Sequence, residues 1–462
     1  MFEGDAIALI DRQGALTYDE LVEFGDRLTE SIEDRSLVFV LTSNTMGAIA
    51  GYAAFVRKRI VVLMLRPDIP AELFHNLVEA YRPQHLWMPE DAVEKLGIDT
   101  APSFGAFGYQ LHSTGYPRYD IHPELAVLLT TSGSTGSPKF VRLSYENILS
   151  NARSIAEYQK ITPADRAITT LPASYTYGLS IVNSHLMSGA SIALIDEGIL
   201  SPAFWSFLAE SHATNFGGVP YTYQMLARLK FERRDLPSLR FISQAGGRLG
   251  VDLHEKFARI CADKGVDFIV MYGQTEATAR MSWLPPEHAL DKVGSIGIAI
   301  PGGEFEVRSL EDGSSVTTPH VSGELVYKGP NVSLGYAHGA ADLALGDERG
   351  GELSTGDVAY FDEDGYYYIS GRLKRFLKVF GNRVSLDELE ALLEHEGWTC
   401  AAHGEDNRLA VSTTSADVDA IKAFLKDTTG LHPSAFVVRQ VEEIPHTSAG
   451  KVDYTALNAS LG

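Results

Sequence analysis

Up to about Pro301, short apolar or β-branched runs alternate with amphipathic segments, and this alternation restricts the fold more than any other feature of the chain. Leu37–Leu41, Ile60–Leu65, Ala126–Thr130, Ala167–Leu171, Ser191–Ile195, Phe241–Ser243 and Phe268–Met271 read as strands. Ala71–Tyr81, Tyr145–Gln159 and Leu253–Lys264 read as helices between them. Strands joined through helices pair in parallel, so the pattern predicts an α/β fold with largely parallel sheets. Beyond Pro301 the period drops to two in Glu304–Arg308, Gly323–Lys328 and Tyr366–Ser370, with turns such as Asp364-Gly365. That texture predicts a small antiparallel sheet or β-barrel. The basic run Gly371–Arg375 interrupts it. A helix near Ser385–His395, a strand near Leu409–Thr413, a helix near Ala416–Asp427 and a strand near Ala435–Val438 follow, the outline of a separate α+β lobe. The expected organisation is a large N-terminal domain over residues 1–372, barrel-like over 301–371, and a small C-terminal lobe over 373–462.

A chain of 462 residues with 45% hydrophobic content can bury a large core in more than one domain. The formal net charge of −21 argues against a general nucleic-acid binder and against binding to an anionic membrane surface. An anionic nucleotide therefore needs locally placed cations. The two cysteines, Cys261 and Cys400, lie far apart without metal-ligand spacing, which suits a reducing compartment. Met1–Ala6 lacks the basic segment of a signal peptide, and no apolar run reaches membrane-spanning length, so a cytoplasmic location is expected.

The stretch from Leu128 to Leu143 carries the clearest chemistry. An apolar strand runs into Thr131, Ser132, Gly133, Ser134, Thr135, Gly136, Ser137 and Pro138, and then a single cation, Lys139. Glycines let backbone N–H groups approach a polyphosphate, hydroxyls add donors and the lysine adds charge. It is not a Walker A loop, because Pro138 precedes the lysine and Phe140 follows it. Other segments are weaker alone. Tyr272-Gly273-Gln274-Thr275-Glu276 follows a strand, where its carboxylate can hold Mg²⁺ between phosphates or cap a helix. Asp357 in Ser354-Thr355-Gly356-Asp357 fits two ribose hydroxyls or a plain Asx turn. Gln244-Ala245-Gly246-Gly247-Arg248 fits a flat base against backbone or a tight turn. Lys451, in a Gly/Ser/Thr-rich loop, is by itself a solvated lysine.

Taken in order, these segments resemble the adenylate-forming superfamily of acyl- and aryl-CoA synthetases, nonribosomal adenylation domains and luciferases. The resemblance starts at Leu16-Thr17-Tyr18-Asp19-Glu20-Leu21 and passes through Thr131–Lys139 and Tyr272–Glu276. It continues in Gly323-Glu324-Leu325, Gly329, Gly335-Tyr336, Thr355-Gly356-Asp357 and Gly371-Arg372. Lys378, Gly381-Asn382-Arg383-Val384, Glu388, Glu390, Pro445 and Gly450-Lys451 complete it. It implies that ATP and a carboxylic acid form an acyl-adenylate with release of pyrophosphate, and that a thiol then takes the acyl group. By the same resemblance, the loop with Lys139 holds the β- and γ-phosphates, Thr275 meets the α-phosphate and Glu276 binds Mg²⁺. Gly246, Gly247 and Tyr272 frame the adenine, with Arg248, Gly273 and Gln274 beside them in the nucleotide site. Asp357 and Arg372 hold the ribose, and Lys451 bridges the reacting groups. The C-terminal lobe is expected to be mobile, turning about Lys374, with the Gly381 loop lining a tunnel for CoA or for the phosphopantetheine of a separate carrier protein.

The chain also departs from the family. Phe140 stands where a glycine is usual, and Ser354 where Arg or Lys often precedes the Thr-Gly-Asp motif. Leu171–Leu179 matches the acyl and aryl ligases better than the amino-acid activators. Tyr175 takes the place of a gating histidine, and Tyr177 and Gly178 join it in the expected acid pocket, unless both tyrosines are ordinary core aromatics. Thr176 falls near the position where an acidic residue would pair an α-ammonium group, so a non-amino acid is expected. No carrier domain follows Lys451, which implies a freestanding ligase. A luciferase-like monooxygenase, a ligase that hands its adenylate to a carrier protein and a non-catalytic nucleotide-binding relative are the competing readings. A kinase or plain ATPase lacks its signatures here.

Overall fold

The computed structural model describes residues 4–130, 139–373, 375–379, 382–405, 407–429, 432–447 and 452–460. Two large sheets dominate the first part of the chain. One has nine strands, and its centre is parallel through Asp267–Tyr272, Phe241–Gln244, Asn215–Gly218, Arg166–Ile168, Ser191–Ala193 and Ile7–Ile10. Antiparallel strands close its edges. The other has eight strands and a parallel centre of Leu125–Thr130, Val61–Leu65, Leu37–Leu41 and His85–Pro89. This is the α/β architecture that the alternation predicts.

A single core fills the space between the two sheets and includes Leu9, Val38 and Val62 from strands together with Tyr18, Phe24, Tyr52, Phe55, Ile148 and Leu179 from helices. The helix Met46–Arg57 is buried from Met46 to Phe55, so it shows no polar face in the sequence. The Leu-Thr-Tyr-x-Glu-Leu segment has a local structural reason. Thr17 and Glu20 form a reciprocal capping box on the helix Tyr18–Thr29. Tyr18 then buries its ring and donates its hydroxyl to the Ala190 carbonyl at 2.7 Å. Phe140 is buried edge-on against Tyr81, with ring centroids 5.3 Å apart, so the residue replacing glycine anchors its strand in the core.

By internal packing the chain divides into two units, Met1–Glu304 with Tyr327–Leu353, and Phe305–Val326 with Ser354–Gly462. Most residues of a four-stranded sheet, in the order Glu304–Arg308, Gly323–Lys328, Glu352–Phe361, Tyr367–Arg372, belong to the second unit. The second unit also holds a three-stranded sheet of Cys400–Glu405, Arg408–Thr413 and Phe436–Gln440. The helices Leu386–His395 and Val418–Thr429 share an apolar core with that sheet through Leu389, Leu393, Ile421 and Leu425.

Seven elements carry the residues of interest: strand β1 (Leu125–Thr130), strand β2 (Phe140–Ser144), helix α1 (Tyr145–Tyr158), helix α2 (Thr176–Met187), strand β3 (Phe241–Gln244), strand β4 (Asp267–Tyr272) and strand β5 (Gly335–Ala337).

Candidate active site

In the first unit the chain leaves β4 at Tyr272 and reverses sharply. A Cβ on Gly273 would lie 1.5 Å from the Ala279 carbonyl oxygen, so only glycine lets the two backbones pass. Between them Thr275–Ala277 forms a 3₁₀ turn. Thr278 and Ala279 then take positive φ values of 55° and 93°, a conformation that costs free energy in residues with a Cβ. Buried Asn331 holds this turn in place. Its amide donates to the carbonyls of Ala277 at 2.8 Å and Arg280 at 3.1 Å, and its oxygen accepts from the Tyr327 hydroxyl at 2.8 Å. Thr278 returns a bond to the Asn331 carbonyl at 2.7 Å, and the Ser333 N–H donates to the Glu276 carbonyl at 2.8 Å. The turn is therefore over-determined, and the Thr275 and Glu276 side chains are fixed by backbone they do not control.

Both side chains have defined partners. The Thr275 hydroxyl lies 2.8 Å from that of Thr176, the first residue of α2. The Glu276 carboxylate accepts the Tyr336 hydroxyl from β5 through Oε1 at 2.8 Å. The ammonium of Lys139 sits over the face of the same tyrosine, 3.5 Å from the ring centroid. One aromatic ring thus joins the lysine that ends the Ser/Gly loop to the carboxylate in the turn after β4. Burial, and then the Glu276 charge, push the Tyr336 phenol up to about 12, so it remains a neutral donor at working pH. The segment around Tyr336 is clamped in turn by Arg142 of β2. This fully buried arginine donates to the carbonyls of Leu334, Tyr336 and Leu345 and pairs with Glu348.

After β3, Gly246 takes φ +84°, and a Cβ there would meet the Tyr175 hydroxyl at 2.5 Å. The glycine turn and the expected gating tyrosine are therefore in contact. Gln244 braces the turn by donating to the Gly247 carbonyl at 2.9 Å, and Gly247 and Arg248 are exposed. Tyr175 is partly buried, and burial raises its phenol to about 12. Tyr177 is 3% exposed and bonded to Ser243 through both the carbonyl, at 2.9 Å, and the side-chain oxygen, at 2.8 Å. Gly178 is buried in the first turn of α2. Gln274 donates to the Tyr272 hydroxyl at 3.3 Å.

In the second unit Asp357 and Arg372 face each other across paired strands, and the arginine Nε meets the buried carboxylate at 2.9 Å. The Asp357 N–H bonds the Thr355 hydroxyl at 3.1 Å. Arg375, just after Lys374, is held by Glu390 at 2.9 Å, by Asp387 and by the Tyr454 hydroxyl at 2.9 Å. Thr131, Ser132, Gly133, Ser134, Thr135 and Gly136 lie outside the described residues, as do Lys374, Gly381 and Lys451.

Three residues of the first unit escape a reading of motifs. Tyr336 belongs to a matched motif, but its bridging role depends on contacts 60 and more residues away. Asn331 looks like a loop asparagine, yet it is buried at 1% exposure. Arg280 is also 1% exposed, and its only sequence signal is a lone charge within Ala277–Leu284.

The AMP-binding enzyme family model matches residues 2–337. Oxalate–CoA ligase of Arabidopsis thaliana is 32% identical over 350 residues, which cover 72% of this chain and 66% of that protein. The probable CoA ligase CCL9 of Humulus lupulus is 28% identical over 96% of this chain and 91% of its own length. Among solved structures, O-succinylbenzoate coenzyme A synthetase from Bacillus subtilis in complex with AMP superposes with a TM-score of 0.78 at 22% identity. The superposition covers 98% of this chain and 95% of that one. With its parallel sheets, its ordered motifs and the match from residue 2 to residue 337, the chain belongs to the AMP-binding enzyme family.

Proposed function

We propose that this chain is an AMP-forming acid–CoA ligase: it joins a carboxylic acid to the α-phosphate of ATP, releases pyrophosphate and passes the acyl group to the thiol of CoA. The carrying observation is the Lys139–Tyr336–Glu276 bridge, a cation and a carboxylate held by one ring beside the strand ends that carry the two matched nucleotide motifs. The family match and the naming of similar proteins as CoA ligases support the same reading.

In this proposal the acid's carboxylate oxygen attacks the α-phosphorus, and the bond to the β-phosphate oxygen breaks. Negative charge grows on the phosphate oxygens, so donors and cations aimed there lower the barrier. Thr275, fixed by Thr176, presents its hydroxyl to the α-phosphate. Lys139, together with Thr131–Gly136, holds the β- and γ-phosphates and the departing pyrophosphate. Glu276 fits a metal ligand, because Tyr336 occupies Oε1 and Oε2 has no hydrogen-bond partner among the described residues. Mg²⁺ held there would neutralise phosphate charge. Gly246, Gly247 and Tyr272 frame the base, with Arg248, Gly273 and Gln274 around it, and Asp357 with Arg372 holds the ribose. Lys451 serves adenylation, and rotation of the residue 373–462 lobe about Lys374 then brings the Gly381 loop to the thiol. Tyr175, Tyr177 and Gly178 line the acid pocket.

The test is acid-dependent ATP–pyrophosphate exchange with and without Mg²⁺, followed by acyl-CoA formation from the responding acid. Exchange that no carboxylic acid stimulates would overturn the ligase reading. Thioester formed on a carrier protein but never on CoA would replace the acceptor.

A further inference from the structure

Arg280 is fully buried, and the side chains it contacts among the described residues are neutral. Its Nε donates to the Ser180 hydroxyl at 3.2 Å. Its Nη1 faces the Tyr158 hydroxyl at 3.2 Å and the Met271 sulfur at 2.6 Å. The guanidinium lies over the Tyr177 ring, 4.3 Å from the centroid. Among the described residues Nη2 is buried without a hydrogen-bond partner, and no carboxylate lies within ion-pair distance of the group. The nearby phenols do not supply the missing charge, since burial keeps Tyr158 protonated up to about 12.

Leaving a guanidinium buried without a counter-charge costs several kcal/mol, and proteins normally pair it. Here the backbone gives Arg280 no way to withdraw. Its carbonyl accepts from Asn331 at 3.1 Å and from Asn151 at 2.8 Å, and the preceding turn is fixed from both ends. The tyrosine beneath it belongs to the stretch assigned to the acid pocket, and the adjacent Thr176 holds Thr275. Ser180, which accepts from the guanidinium, also lines a cavity of about 10 Å³, mostly apolar and walled by Leu129, Ile148 and Leu179 with Asn151, Thr176 and Thr278. In a chain with a net charge of −21, a second negative charge on a substrate would otherwise be repelled.

We propose that Arg280 is a specificity residue that binds a second carboxylate on the substrate, so that the acid this chain activates is a compact dicarboxylic acid. The inference rests on the ligase reading above and adds the substrate class. One carboxylate reacts, and the other accepts from Nη2 and supplies the counter-charge of the buried guanidinium.

The experiment measures ATP–pyrophosphate exchange with acids matched in carbon number: malonate against propionate, succinate against butyrate, glutarate against pentanoate and phthalate against benzoate. The wild-type chain is expected to favour the best dicarboxylate over its partner by about a hundredfold in kcat/KM. Arg280→Leu is expected to erase or invert that ratio, and Arg280→Lys to keep its direction. Melting curves and AMP binding report whether each variant folds. If Arg280→Leu does not fold, the wild-type ratios alone decide. A wild-type preference for monocarboxylates, or a ratio unchanged in folded Arg280→Leu, overturns the inference and leaves the ligase reading intact. Exchange with none of a broad acid panel overturns the ligase reading, and this inference with it.

Discussion

Replacing Tyr336 with phenylalanine separates the two halves of the Lys139–Tyr336–Glu276 bridge. The ring that carries the Lys139 ammonium at 3.5 Å remains, while the hydroxyl that donates to Glu276 at 2.8 Å is lost. A hydrogen bond to a charged group is worth about 1.5–3 kcal/mol, and a half-buried one belongs at the low end. About 1.5 kcal/mol corresponds to roughly a tenfold change in an equilibrium or a rate. Under the proposed function the loss falls on Glu276, which is then free to turn away from the metal it would hold. We expect Tyr336→Phe to raise the Mg²⁺ concentration needed for half-maximal exchange by about tenfold and to leave metal-free nucleotide binding nearly unchanged. Tyr336→Leu also removes the cation–π contact, worth about 1–2 kcal/mol, so nucleotide binding should weaken as well. Glu276→Gln should reproduce and exceed the Tyr336→Phe effect. A Tyr336→Phe variant with a wild-type Mg²⁺ requirement, alongside an impaired Glu276→Gln, would show that the hydroxyl does not position the carboxylate.

Asn331→Ala removes the amide that ties Ala277 and Arg280, and a loss of about 2–4 kcal/mol is expected in chemical denaturation, with exchange activity falling further because the strained turn relaxes. His185 is fully buried, bonded at Nδ1 to the Ile181 carbonyl at 2.9 Å and at Nε2 to the Asn215 amide at 3.0 Å, and burial lowers it from 6.5 to about 4. Its neutral form is the folded form, so its contribution is complete above pH 6.5 and is lost as pH falls towards 4. Unfolding free energies of wild type and His185→Gln should therefore converge between pH 7 and pH 4, by about 3 kcal/mol at most; parallel curves would remove His185 from the acid response. Lys451→Ala should cost adenylation a hundredfold or more, about 3 kcal/mol, and spare thioester formation from supplied acyl-adenylate; equal losses in both half-reactions would count against a role confined to the first.

Local pattern placed much of the fold. The helix Ala71–Tyr81 and the strand Leu37–Leu41 occupy the residues that their periodicity marks. The strand expected over Ala167–Leu171 is shorter, Arg166–Ile168, because the Thr169 hydroxyl turns to the Ile195 carbonyl at 3.0 Å and Pro172 follows. The helices Met46–Arg57 and Thr176–Met187 went unread because they are buried nearly all round and show no apolar stripe. The motif residues Lys139, Thr275 and Glu276 were legible from types and order. Their coupling through Tyr336 was not, since it joins β2, β4 and β5 across long sequence gaps. Arg280 and Asn331 were missed for a related reason: such residues are usually exposed, and only packing shows that they are buried.

The Gly273–Ala279 crossing has a consequence for protein engineering. Because the two backbones pass with no room for a methyl group at position 273, a shift in register that moves any other residue there is not tolerated. Thr275, Glu276 and Arg280 therefore sit on one cassette of fixed geometry, and selectivity is to be redesigned there by exchanging side chains at Arg280 and its neighbours Ser180 and Tyr158. Libraries that shift the register at Gly273 should yield inactive chains, whereas libraries that vary only those side chains should keep the reaction and change the acid.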